Sequence, residues 1–344
     1  MVRLLGLVAA VVLAGCGERP GGQGGDAPVV PEVVPAERIA GESAEGVVFI
    51  FATADEGAIV VTAEEGYTAE LQPREIAIRA GDTAARSFAD LQPAYAADVE
   101  AWTEEEKDAL RAVIAGLMPK IEAVDSLLPE TVLLVKTGEV VEGGLPHTRG
   151  NAIIFAGGGI PSGGPLKALF LHELHHVLSR ANAELHDDYF AIIGFEPCRF
   201  EEPAALREIR LSNPDAPTYR HYVPAVPGEG APFSGADGVI PYLFTGQSYN
   251  GSGRLPDYFG FGLLPVSVGE GTCTALAERP NELLQPGQVP AFGEMIGENT
   301  GYVIHPEETL ADNFVFWALE RADLPDPEIP AAVGAFWTEA AARD

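Results

Sequence analysis

Leu169-Phe170-Leu171-His172-Glu173-Leu174-His175-His176-Val177 is the stretch on which the reading of this chain turns. It lies in a run from Leu166 to Arg180 that contains neither Gly nor Pro. The run is entered through Pro165, which suits a first helical position, after a glycine-rich turn from Gly157 to Gly164. Leu166, Leu169, Phe170, Glu173, His176, Val177 and Arg180 recur at steps of three and four, which predicts one helix with a mainly apolar buried face. His172 and His176 then stand about one turn apart on the same side, so both imidazoles can reach one metal ion while Glu173 projects beside them. Zinc held by neutral nitrogens and open at one position lowers the pKa of a bound water to about 7. Glu173 is placed to take that proton and pass it to a leaving amine. Residue frequencies put a chance HExxH in a chain of this size on the order of one per cent, which favours a metal site over a merely histidine-rich helix face. His175, roughly 100° round the helix from His176, is expected either to support a ligand from behind or to lie at the surface.

A catalytic zinc needs a third protein ligand. Metzincin peptidases carry a histidine where this chain has Asn182, so that pattern is excluded. His186, in Glu184-Leu185-His186-Asp187-Asp188, reads as a surface cap or turn, and Glu196, Glu201 and Glu202 lack supporting spacing. Far along the chain, His305-Pro306-Glu307-Glu308-Thr309-Leu310-Ala311-Asp312-Asn313-Phe314 opens with Pro306 and two glutamates and predicts a helix continuing through Trp317. Glu308 and Asp312 fall about one turn apart on one face of it. Either they belong to a site, or they are a solvated helix start in an acidic chain.

An HExxH helix followed at a distance by Glu308, Ala311, Asp312 and Asn313 resembles the gluzincin metallopeptidases. The likeness is most specific to the neprilysin-like group, whose second helix carries ExxxD, often as ExxAD followed by Asn. The resemblance implies that Glu308 is the third zinc ligand. It also implies that Asp312 accepts a hydrogen bond from a zinc-bound histidine, fixing its tautomer and raising its basicity. The stretch from His176 to Glu308 is longer than in that family.

The order of elements before the metal helix fits the same reading. Thr103-Glu104-Glu105-Glu106 is a capping box for a helix that Gly116 and Pro119 should end or kink, and Thr131 to Lys136 reads as a strand. Asn151-Ala152-Ile153-Ile154-Phe155 is a second strand. The resemblance implies that Asn151 and Ala152 begin an edge strand that pairs with a peptide substrate, the alternative being an ordinary core strand. The fold expected is α+β and zincin-like, with a small mixed sheet with an edge strand, an active-site helix and a mainly helical or irregular C-terminal lobe. Its lobes should cover about 47–190 and 191–344. Pro224 to Pro265, rich in Gly, Pro and aromatics, suggests irregular loops or short strands. As donor to a developing oxyanion, His305 is favoured over Tyr302 and over Tyr219, Arg220, His221 and Tyr222.

At the N-terminus, Arg3 precedes an apolar run from Leu4 to Leu13 that ends in Ala14-Gly15-Cys16, a signal-peptide pattern too short to span a membrane. Leu13-Ala14-Gly15-Cys16 resembles a bacterial lipobox, which implies a signal peptide over 1–15 and a lipid anchor on Cys16. Residues 16–46 then form a flexible tether ahead of a peptidase domain over 47–344. The protein is accordingly expected on the cell envelope, at the outer membrane or the outer face of the plasma membrane. A net charge of -30 argues against nucleic acid as a partner. Cys198 and Cys273 either pair in an oxidising exterior or remain two buried thiols. The function expected is zinc-dependent hydrolysis of a peptide or protein substrate. The alternative is a non-catalytic, surface-anchored zinc-containing binding lipoprotein, its site closed by a fourth ligand such as His186 or His175.

Overall fold

Five strands, β1 (Val48–Phe51), β2 (Val99–Glu100), β3 (Thr131–Thr137), β4 (His147–Arg149) and β5 (Ala152–Phe155), make a mixed sheet in the computed structural model, which describes residues 46–233 and 235–343. The expected signal peptide, Cys16 and all but the last residue of the tether lie outside those residues. β1, β3 and β5 run parallel, β4 is antiparallel to β5, and β2 is antiparallel to one end of β3.

Side chains alternate across a strand, and here both faces are buried. Val132 and Leu134 of β3 and Ile153 and Phe155 of β5 face one core, shared with Leu110, Phe170, Leu174, Leu310, Phe314 and Trp337. Val135, Ala152 and Ile154 face another, filled by Val61, Ile76, Leu91 and Tyr95. Burial on both sides explains why β3 and β5 read as almost unbroken apolar runs. The first of these cores extends from Val47 to Trp337 and takes residues from both sides of position 190.

The helix after Thr103 carries the expected capping box but runs from Glu104 to Ile121, through both Gly116 and Pro119. Pro119 falls in the last turn, where it removes a single ladder hydrogen bond. Leu110, Val113, Ile114, Leu117 and Ile121 meanwhile hold the helix to the core.

One further expectation is corrected. Ala152 is not in an edge strand, because β5 is paired on both sides, and Asn151 lies in the preceding turn with Nδ2 donating to Thr131 O at 2.7 Å. Arg149 pairs with Ala152, so Gly150 and Asn151 form a two-residue hairpin loop, and Gly150 takes the positive φ of 55° that the turn needs. That hairpin folds the short polar strand β4 over the flank that β5 would otherwise expose. The C-terminal part is helical or irregular over most of its length, as expected, but it also holds a sheet. Arg199–Glu201, Thr272–Ala275, Phe259–Gly269 and Gly238–Thr245 form a four-stranded sheet in that spatial order. Gly260 and Gly262, which look like breakers, make room instead: a Cβ on Gly260 would stand 2.4 Å from the Phe244 ring, and one on Gly262 would stand 2.6 Å from Leu283. Cys198 and Cys273 are joined by a disulfide within the core of this sheet. Among the described residues no helix is long and apolar enough to cross a membrane.

Candidate metal centre

The helix carrying His172 spans Gly164–Ala181, with Pro165 in its first turn as the sequence predicts. Asn182 stops it, and its side-chain amide donates to Leu127 O and Leu178 O. The helix carrying Glu308 spans Pro306–Ala318 and is buried along nearly its whole length. His305 caps it, accepting a hydrogen bond at Nδ1 from the Glu307 amide at 3.1 Å. Glu307 and Glu308 therefore occupy the end of the helix where its unpaired amides favour negative charge.

Packed against each other, the two helices bring His172, His176 and Glu308 together. Oε2 of Glu308 lies 3.1 Å from His172 Nε2 and 3.4 Å from His176 Nε2. Ligand atoms about 2.0–2.1 Å from a tetrahedral zinc are separated by roughly 3.3 Å, so both approaches of Glu308 have the spacing of a shared coordination sphere, and the three ligand atoms all lie within 4.8 Å of one another. Two buried atoms reinforce this fit. His176 Nε2 and Glu173 Oε2 have no hydrogen-bond partner, as expected of a nitrogen directed at a metal and an oxygen directed at a water. The residues present fit a divalent metal held by two imidazoles and a carboxylate.

Behind the ligands, Asp312 Oδ1 lies 3.1 Å from His172 Nδ1, and Asp312 Oδ2 accepts a hydrogen bond from Thr300 Oγ1 at 2.5 Å. Glu307 Oε1 lies 2.9 Å from His176 Nδ1, and Glu307 Oε2 accepts from Ser179 Oγ at 2.7 Å. The free oxygen of Glu308, Oε1, accepts from Asn213 Nδ2 at 2.5 Å. Two residues further on, Asp215 Oδ1 accepts from both the amide and the hydroxyl of Thr148 on β4, at 2.7 and 2.6 Å. One carboxylate oxygen of Asp215 stands within 4.8 Å of Glu173 and His176.

The electrostatics favour positive charge between the helices. Burial disfavours a charged His172, yet its hydrogen bonds to Asp312 and Glu308 outweigh that and push it up to about 10. His176 is raised in the same direction against burial, chiefly by Asp215 and Glu308. Burial would raise Glu308, but His176 and His172 hold it well below the usual carboxylate range. Glu173 moves the other way, up to about 8, through burial first and the neighbouring Asp215 charge second. A carboxyl group near neutrality in a buried site suits a group that takes up and returns a proton.

Other expected site residues are engaged elsewhere. Both ring nitrogens of His305, expected as an oxyanion donor, are engaged, Nδ1 with the Glu307 amide and Nε2 donating to Thr218 O at 3.2 Å. Burial also lowers it to about 4, so the ring is neutral. Tyr302 instead lies beside the site, its ring centroid 6.0 Å from that of His172. Burial and the charges of Glu308 and Asp215 raise its phenol well above the usual value, so it keeps its proton. His175 is buried behind the ligands, its Nε2 2.7 Å from Tyr189 OH. His186 makes its contact with Ser179. Glu196 binds Tyr222, Glu202 binds Arg210 and Tyr242, Glu201 pairs with Arg199, and His221 pairs with Asp187. Asn313 accepts from Asn299 and supports the loop before the Glu308 helix.

Comparison of the chain with protein-family models, with curated proteins and with solved structures returns no match to any of them. The local geometry therefore carries the functional reading. Glu307, Thr300, Ser179, Asn213 and Asp215 are the site residues that the sequence reading missed. Only Glu307 had a local signal, since it adjoins Glu308.

Proposed function

We propose that this chain is a zinc-dependent hydrolase of peptide bonds, with a zincin-like arrangement and a gluzincin-type ligand set of His172, His176 and Glu308. The observation that carries the reading is the approach of one Glu308 oxygen to both imidazole Nε2 atoms, at 3.1 and 3.4 Å, beside the unpartnered Glu173 Oε2. When bound, the metal supplies Lewis-acid activation of a water and of the scissile carbonyl.

The protein's own groups do the rest. Glu173 takes the proton of the attacking water at Oε2 and returns it to the leaving amine. Asp312 keeps the His172 ring in place. The neutral phenol of Tyr302 donates to the developing oxyanion, the role expected earlier of His305. Pairing of a substrate with the outer strand β4 requires Asp215 to release the Thr148 amide. An exported, lipid-anchored location follows from the lipobox-like Leu13-Ala14-Gly15-Cys16, and the Cys198–Cys273 disulfide suits an oxidising compartment.

The test is Glu173→Gln. Zinc content by elemental analysis should match that of the wild type, while hydrolysis of a fluorogenic peptide library falls by at least 10²–10⁴-fold. Full activity in this variant would overturn the mechanism.

One observation favours the binding-protein alternative. Asp215, close to Glu173 and His176, is better placed than His186 or His175 to close the site. In that case the cobalt-substituted protein shows a closed four-ligand spectrum that changes in Asp215→Asn, and no peptide is cut.

A further inference from the structure

His172 and His176 are held from behind by different carboxylates, and only that of His172 belongs to the motif the sequence displays. On the His176 side the proton positions follow from chemistry. A carboxylate only accepts, so the single hydroxyl hydrogen of Ser179 points to Glu307 Oε2, 2.7 Å away. His186 Nε2 lies 3.0 Å from both the hydroxyl and the carbonyl oxygen of Ser179, and it must therefore carry the ring hydrogen. At the other carboxylate oxygen, His176 Nδ1 at 2.9 Å must likewise carry hydrogen, which leaves its Nε2 lone pair free for a metal. The arrangement repeats on the other imidazole, where Thr300 pins Asp312 and Asp312 holds His172.

We propose that Glu307, pinned by Ser179, is a positioning residue that fixes the tautomer and ring orientation of His176 and raises its affinity for the metal. The proposal rests on the metal-site reading above. Packing alone does not call for a charge at this position. Glu307 is buried against His175 and His176 on a helix whose neighbouring side chains are mostly apolar. A neutral side chain of the same shape would fill the space without the cost of burying an ion. What the charge adds is a stronger acceptor than a neutral group, which strengthens the donor power of His176 at its far nitrogen. His175, His176 and Glu307 could alternatively hold a second ion of their own, and the stoichiometry of binding separates that arrangement from the one proposed.

The experiment uses the purified full chain and Zn²⁺, with affinity read by competition against a chromophoric chelator. Glu307→Ala should raise the zinc dissociation constant about 10–100-fold. Glu307→Gln, which keeps the shape and an acceptor but loses the charge, should give a smaller rise, and Ser179→Ala a smaller one still. Long-range ¹⁵N spectra of the zinc-loaded protein should show a slowly exchanging Nδ1 proton on His176 in the wild type and in Glu307→Gln, and its loss in Glu307→Ala. Wild-type affinity with an unchanged His176 signal in the Glu307 variants would overturn the proposal, as would two zinc ions per chain. If Glu307→Ala does not fold, Glu307→Gln decides. A wild-type chain that binds no zinc defeats the metal-site reading itself, whereas zinc binding indifferent to Glu307 defeats only this proposal.

Discussion

Glu142→Gln is a sharp probe of how the fold supports the site. Glu142 is buried and accepts from Arg79 Nε at 2.9 Å and from Tyr95 OH at 3.1 Å. Arg79 also pairs with Glu75 at 2.7 Å and donates to Ser212 O at 2.8 Å, while Glu75 takes the amide and hydroxyl of Ser212. The network thus anchors the residue next to Asn213, which holds Glu308. Burial alone would raise the Glu142 carboxyl, but the Arg79 guanidinium beside it, with His147 and Arg149 farther off, brings it down to about 2 from an ordinary 4.5. A depression of that size corresponds to about 3 kcal/mol. Because the folded value is the lower one, this stability is fully present above pH 4.5 and is lost as pH falls toward 2. Glutamine mimics the protonated side chain permanently. Urea unfolding followed by circular dichroism should therefore show Glu142→Gln less stable than wild type by about 3 kcal/mol at pH 7. The two proteins should converge as the pH is lowered. An equal pH slope in both, or equal stability at pH 7, would refute the reasoning.

Other outcomes follow from single contacts. Tyr302→Phe should lower kcat by about 10²-fold with KM and zinc content little changed, as steady-state kinetics and elemental analysis on one preparation will show. Replacing both Cys198 and Cys273 by Ala releases a crosslink between positions 75 residues apart. Chain entropy sets its worth at about 4 kcal/mol, so the unfolding midpoint in urea should drop, and an unchanged midpoint contradicts the estimate.

Local patterns were the most legible part of the chain. The His172 helix and the Glu308 helix could be read because ligand spacing, Pro165, Pro306 and the apolar periodicity all act within a few turns. That the two helices meet could not be read from either alone, since His172 and Glu308 are 136 positions apart. Only the gluzincin resemblance suggested the encounter. β4 was missed because His147, Thr148 and Arg149 are polar, and their burial depends on partners such as Asp215 and Glu65 contributed from distant segments. The long hairpin of Gly238–Thr245 and Phe259–Gly269 was hidden by glycines and prolines. There, glycine serves close packing and not a turn. The capping of the Glu308 helix by His305 was hidden because a histidine beside a ligand looks chemical in sequence, whereas in the structure it holds the Glu307 amide and Thr218 O.

Two parallel sets of contacts join the helices, His172 to Glu308 and Asp312, and His176 to Glu307 and Glu308. A helix advances about 1.5 Å per residue, so sliding one helix past the other by a single position displaces every one of these atom pairs at once, by about half of their present separation. The site therefore works as a gauge of helix register. A core substitution beneath Phe170, Leu310 or Phe314 that shifts the helices slightly should register first as weakened metal binding, while the chain is still folded.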